Sequence, residues 1–267
     1  MHNYFCGWYF KCQSETQTLA VIPARHGGRE SIQLITDDGA WSFSEKLGGS
    51  VFRKNGFRFD LASGGAEASG EIRFGALTPL RYDIMGPFKY VPFMECRHSV
   101  LSMRHRVDGT VRINGKVYDF NNALGYIEGD RGRSFPDEYI WTQSFFDGGS
   151  LMLSIAEIPF AGFGFTGVIC AILWRGREYR LATYLGARAE RIGCSEVAVR
   201  QGEYAFHAEL LQEKPRPLNA PICGEMERII HESASCRARY RFEKNGRTLF
   251  EFETERASFE FEYGGRE

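Results

Sequence analysis

The sequence predicts an all-β protein made of two similar antiparallel units, each a barrel or a barrel-like sandwich, with little helix. Three observations lead there. Runs rich in β-branched and aromatic residues, many of them alternating apolar with polar, cover most of the chain. Asx-Gly dipeptides punctuate them at short intervals. The second half of the chain also echoes the first.

The strand signal begins with "QTLAVIP" and "ESIQLIT", continues through "GVICAILW" and "EYRLATYL", and ends in "TLFEFETERASFEFEY". Between such runs stand Asp38-Gly39, Asn55-Gly56, Asp108-Gly109, Asn114-Gly115, Asp147-Gly148 and Asn245-Gly246. Asx-Gly between alternating runs marks a hairpin because the tight turn needs positive φ. Many strands with regular turns read as a sandwich or barrel. The best helix candidate is "PICGEMERIIHESA", which is short and contains a glycine.

The echo sets the domain count. "HSVLSMRHRVDGTVRINGK" starts at His98 and "HESASCRARYRFEKNGR" at His231, an offset of 133. That offset pairs Ser102 with Ser235, Arg104 with Arg237, Arg106 with Arg239 and Trp8 with Trp141; Asn114-Gly115 meets Asn245-Gly246 after a two-residue gap. Each tryptophan precedes a hairpin ending in Ile-Pro. Two β units are expected, residues 1–135 and 136–263, with "GYIEGDRGRSFP" at the seam and "GGRE" as a frayed end.

Composition narrows the function. The chain has 267 residues, 43% hydrophobic and 25% charged, with a formal charge of −1. That balance gives no electrostatic case for nucleic acid or an anionic membrane surface. The basic run "CRARYRFEKNGR" is interrupted or followed by Glu243, Glu251, Glu253 and Glu255, as on a strand pair exposing mixed charge. "MHNYFCGWYFK" has no basic region followed by an apolar run, so no signal peptide is read. The longest greasy segment, "IPFAGFGFTGVICAILW", is cut by Pro159 and glycines and reads as adjoining strands, which leaves peripheral membrane contact as the one membrane option. Seven cysteines without a CxxC pair argue against a disulfide framework or zinc motif and suit mostly buried thiols in a cytoplasmic protein. No phosphate loop, HExxH or GxSxG elbow occurs, and "GFGFTG" lacks the strand-to-helix setting of a dinucleotide site. No metal or other cofactor is expected, and oligomeric state leaves no mark on the sequence.

What remains is acidic and aromatic. In "GYIEGDRGRSFP", Tyr126, Glu128 and Asp130 alternate on one face, with Ile127 and Gly129 on the other. That face either meets solvent, as a polar strand exit, or lines a pocket. In a pocket, two close carboxylates oppose joint ionisation while Arg131 beside them keeps at least one ionised, a pairing suited to general acid chemistry. Glycines 125, 129 and 132 would allow a sharp bend or close approach of a ligand. A second cluster, "MECRHSV", supplies Glu95, Arg97 and His98. Because His98 has a counterpart in His231, a structural role common to both units is one reading of it.

At these residues "GYIEGDRGRSFPDEYIWTQSFF" resembles the signature of the tocopherol cyclase-like proteins: a Tyr, then Glu, then Asn-Trp-Gly, then Ser-Phe-Pro leading into an aromatic Trp-x-Gln strand. Tyr126, Glu128, Gly132, Ser134, Phe135, Pro136, Trp141 and Gln143 match. "CGWYFK" and "MECRHSVLSMRH" also look like family features, and there is a more distant resemblance to the carotenoid hydratases. The resemblance implies two tandem lipocalin-like β units that bind a small hydrophobic or isoprenoid-like ligand. It implies acid-catalysed cyclisation or hydration of a prenyl double bond without metal or redox cofactor. It makes Glu128 or Asp130 the proton donor, with Tyr126 and Trp141 lining the pocket; Arg131, Phe135, Gln143, Glu95 and His98 complete the candidate substrate-binding residues. Two residues depart from the pattern: the family's Asn is Asp130 here and its Trp is Arg131. Arg131 would oppose a carbocation and welcome a polar or anionic head group, which motivates the rival reading of a non-catalytic lipocalin-like carrier.

Overall fold

The computed structural model describes residues 4–44, 49–92, 94–160 and 163–264, so Gly162 of the glycine-rich run and the closing residues 265–267 lie outside the described residues. The described residues form two antiparallel sheets of ten strands each. The first contains β1 (Phe5–Gln13), β2 (Thr18–His26), β3 (Arg29–Thr36), β4 (Ala40–Phe43), β5 (Val51–Arg53), β6 (Gly56–Ser63), β7 (Ala66–Phe74), β8 (Cys96–Ile113), β9 (Lys116–Asp119) and β10 (Ala123–Gly132). The second contains β11 (Tyr139–Phe146), β12 (Gly149–Phe160), β13 (Phe163–Trp174), β14 (Arg177–Ala182), β15 (Arg188–Ile192), β16 (Glu196–Gln201), β17 (Tyr204–Gln212), β18 (Arg216–Ile222), β19 (Glu225–Lys244) and β20 (Arg247–Glu262). Among the described residues helix is confined to short 3-10 turns at Gly86–Tyr90 and Thr183–Leu185.

The strand orders match: β4-β3-β2-β1-β10-β8-β7-β6-β5 in one sheet and β14-β13-β12-β11-β20-β19-β17-β16-β15 in the other. β9 is an extra strand on β8, and β18 an extra strand on β19. In each sheet the path curls back on itself, β4 lying near β6, and β13 and β14 near β15 and β16. These are two all-β, lipocalin-like units. Trp8 in β1 and Trp141 in β11 occupy matching strands, as do His98 in β8 and His231 in β19. The first compact unit takes in residues up to Leu80, Cys96–Ser134 and Leu218–Arg228; the second takes in Arg81–Glu95, Phe135–Pro217 and Ile229 onward.

Period-two patterning builds each core. In β6, Phe57, Phe59 and Leu61 point inward while Arg58, Asp60 and Ala62 face out. They join Phe10, Cys12, Val107, Val111 and Ile127 in the core of the first unit. Each such phenylalanine contributes roughly 2–3 kcal/mol by leaving water. The second unit is organised in the same way around Ile140, Leu151, Leu153, Phe206, Tyr240, Phe242, Phe259 and Phe261. Its mixed-charge run falls on β19, where Cys236, Ala238, Tyr240 and Phe242 are buried while Arg237, Arg239 and Arg241 pair outside with Glu253, Glu209 and Glu243.

Three expectations are corrected. "PICGEMERIIHESA" is not a helix: Cys223 and Gly224 adopt φ of 49° and 84° and turn β18 into β19. Two successive positive-φ residues make a hairpin, and cross-strand pairing overrides the local propensity of Glu and Met. Asp108-Gly109 is not a turn either but lies inside β8, with Gly109 at φ 144°. The other five Asx-Gly pairs do fall at strand connections, Asn114-Gly115 and Asn245-Gly246 with positive φ at both residues. Finally, of seven free cysteines only Cys12, Cys170 and Cys236 are buried, while Cys194 and Cys223 are exposed.

Candidate acid site

β10 carries the acids and β1 and β8 flank it. Ile127 points into the apolar core of the first unit, so Tyr126, Glu128 and Asp130 project from the opposite side of the strand. That side is not a solvent face: Tyr126 is fully buried and Glu128 is 5% exposed. The β8–β10 register shifts between Gly125 and Ile127 and again between Ile127 and Glu128. Such bulges re-aim side chains. Below them His98 of β8 stands directly across from Asp130. The glycines serve neighbouring side chains: a Cβ at Gly125 would come within 2.5 Å of the His105 ring, and one at Gly129 within 2.6 Å of the Trp8 indole.

The result is a linear chain of polar contacts. Tyr126 donates its hydroxyl proton to Glu128 Oε2 at 2.5 Å. His98 Nε2 lies 3.3 Å from the same oxygen as an ion-pair contact outside hydrogen-bond geometry. On its other side His98 Nδ1 is 2.9 Å from Asp130 Oδ1. The Cys96 thiol donates weakly to that oxygen at 3.5 Å. Burial is the largest influence on His98 and disfavours its charged form. The charges of Asp130 and Glu128, with the hydrogen bond to Asp130, together outweigh it and hold the imidazolium well above the usual histidine range. Burial, reinforced by the Glu128 charge, likewise raises the Tyr126 hydroxyl, which stays a phenol and a donor. The donor atoms of His98, Glu128 and Asp130 all lie within 4.8 Å of one another.

The residues singled out in the sequence divide. Tyr126, Glu128, Asp130 and His98 are brought together. Arg131 is exposed and alternates away from the acids, so the cation between the two carboxylates is His98 rather than Arg131. Glu95 is exposed. Phe135 is half-buried, edge-on to Tyr139 at 5.9 Å. Trp141 and Gln143 are buried on the side of β11 opposite the core residue Ile140, and Gln143 Nε2 donates to Ser150 Oγ at 3.4 Å. Sequence reasoning missed Tyr9 and Lys11, buried directly across from Glu128 and Tyr126, and Cys96 beside Asp130. The signal for the first two was the stretch "CGWYFK", whose alternate residues share a face.

The second unit holds a looser counterpart. Glu260 and Glu262 alternate on β20 as Glu128 and Asp130 do on β10. Tyr139 donates to Glu260 Oε2 at 2.6 Å, and His231 Nδ1 stands 3.9 Å from Glu262 Oε1. His231 has 42% of its side chain exposed against 11% for His98, so the two histidines do not share one structural role.

No protein-family model and no curated protein sequence matches this chain. Solved structures do. CghA, also solved with Sch210972, aligns over 99% of this chain and 90% of its own with a TM-score of 0.62 at 11% identity. Kievitone hydratase from Nectria haematococca aligns over 98% of this chain and 90% of its own, with a TM-score of 0.58 at 8% identity. An AttH-type protein from Nitrosomonas europaea aligns over 97% and 93%, with a TM-score of 0.52 at 11% identity. At 8–11% identity the likeness establishes one thing, that this chain shares the all-β fold of these proteins.

Proposed function

We propose that the protein is a lipophile-binding, hydratase-like enzyme that adds water, or an internal hydroxyl, across a carbon–carbon double bond by acid catalysis at Glu128. The observation that carries this reading is the buried chain Tyr126–Glu128–His98–Asp130. In its acid-loaded form Glu128 transfers its proton to the alkene carbon, leaving a tertiary cation on the neighbouring carbon. The carboxylate left behind is stabilised by the Tyr126 hydroxyl at 2.5 Å and by the His98 imidazolium at 3.3 Å. Asp130 holds the imidazole in place through Nδ1. The Tyr9 and Tyr126 rings, on the same face of the sheet, offer electron-rich surfaces to the cation. Water or a substrate hydroxyl then forms the new C–O bond and loses its proton to Glu128, which restores the acid. The resemblance of the seam to tocopherol cyclase-like proteins supports an isoprenoid or prenylated substrate, and the fold shared with a kievitone hydratase is compatible with hydration. The outward direction of Arg131 removes the main motive for the carrier reading.

The test is turnover of a prenylated hydroquinone and of an isoprenoid polyene, with product identified by mass spectrometry. General acid catalysis contributes on the order of 10²–10⁴-fold, so Glu128→Gln should lose about that much, and Tyr126→Phe a smaller part of it. Full activity in a folded Glu128→Gln variant would sink the proposal.

A further inference from the structure

We propose that His98, Glu128 and Asp130 also form a binding site for a divalent transition-metal ion of the zinc type, whose arrival switches the acid site off. The inference rests on the reading above only for the loss of activity; the ion site itself rests on geometry. The donor atoms of the three side chains lie within 4.8 Å of one another, contributed by two neighbouring paired strands. His98 Nε2 is buried and makes no hydrogen bond, although Glu128 Oε2 lies 3.3 Å away. Bonds of ~2.0–2.2 Å from zinc to nitrogen and oxygen set a tetrahedral ligand–ligand edge of roughly 3.3 Å. The His98–Glu128 separation already matches that edge. No separation in the set exceeds 4.8 Å, so closing to that edge takes at most about 1.5 Å, with Asp130 turning from its 2.9 Å contact with His98 Nδ1 toward the ion.

Chemistry selects the ion. One imidazole with two carboxylates suits zinc, manganese or iron, whereas calcium asks for six to eight oxygens and magnesium for near-ideal oxygen octahedra. The ion would take the place of the Nε2 proton of the His98 imidazolium, which is released to solvent, and water would complete the coordination. The outer groups that orient ligands are also present, since Tyr126 fixes Glu128 through Oε2. The ion would sit between Glu128 and the alkene and would occupy the oxygens on which the catalytic proton travels. The counterpart in the second unit makes a control. Its His231–Glu262 distance is 3.9 Å, it is half-exposed, and among the described residues it belongs to no set of three such donors.

The experiment is equilibrium dialysis of the full chain, stripped with chelator, against zinc chloride at pH 7.5, with bound metal measured by mass spectrometry and cobalt(II) substituted to read coordination from its visible spectrum. The expected result is one ion per chain, affinity lowered at least tenfold in Asp130→Asn and in His98→Gln, and unchanged in His231→Gln. Two separate substitutions keep the test decisive if one of them unfolds. Wild-type binding no greater than that of both variants would overturn the inference. Zinc should also abolish turnover of the prenylated hydroquinone, with recovery on adding chelator. An ion bound without any turnover by the stripped enzyme would defeat the proposed function and leave the metal site standing. Turnover without ion binding would do the reverse.

Discussion

His98 and His105 lie on the same strand, β8, and titrate in opposite directions. His98 is held well above the unfolded value of about 6.5. It therefore contributes stability that is fully present below pH ~6.5 and is lost as pH rises through its folded pKa. His105 is buried against Phe74, with Nδ1 3.0 Å from Ser102 Oγ, and burial pushes it down to about 4. Between about 4 and 6.5 the unfolded chain binds the extra proton, so stability falls as pH drops through that window and levels off below it. Urea unfolding of the metal-stripped protein from pH 4 to 10 should thus show losses on both sides. His98→Gln should flatten the alkaline limb and His105→Gln the acid one. An alkaline limb unchanged in His98→Gln would show that the imidazolium is not held by the two carboxylates.

At the scale of elements, irregularities in β8 and β10 aim the site. β8 runs through Gly109, where φ is 144° and a Cβ would meet the Glu71 carbonyl oxygen at 2.1 Å. No rotamer relieves a clash with backbone. Gly109→Ala should therefore cost on the order of 2–4 kcal/mol by urea denaturation. Gly115→Ala is the comparison: its φ is 82° but the space is open, so only the left-handed penalty of about 1 kcal/mol applies. Equal losses at the two positions would mean that β8 yields at Gly109. The Asp108-Gly109 dipeptide thus looked like a hairpin turn for a sound local reason, positive φ, which here is accommodated inside one long strand.

At the scale of the whole molecule, the two sheets carry two versions of one strand plan and their acid sets differ. Both have a tyrosine on a glutamate and a histidine near a second acid. Only the first closes its histidine between two carboxylates. On the proposed function, turnover of the prenylated hydroquinone should fall roughly 10–100-fold in His98→Gln and stay within about twofold of wild type in His231→Gln. Parallel losses in both variants would mean that the histidines act through the fold. Glu128 and Asp130 were legible in the sequence as a pair on one face because alternation is a local property of an extended chain. Their partner was not, because His98 is 32 residues from Asp130 and reaches it only through the β8–β10 register.

The sequence by itself determined an all-β chain, its hairpins at five of six Asx-Gly turns, its internal repeat, and the shared face of Tyr126, Glu128 and Asp130. Each follows from short-range rules: period-two patterning, positive-φ turn chemistry and spacing along one strand. The tertiary structure alone decided that the acid-bearing side of β10 is buried as well as the side of Ile127. It also decided that His98 rather than Arg131 is the cation between the acids, and that the stretch around Cys223-Gly224 turns between strands instead of winding into a helix. Those outcomes depend on pairing between strands distant in sequence, and a bulge of one residue is enough to reverse the face that every later side chain presents.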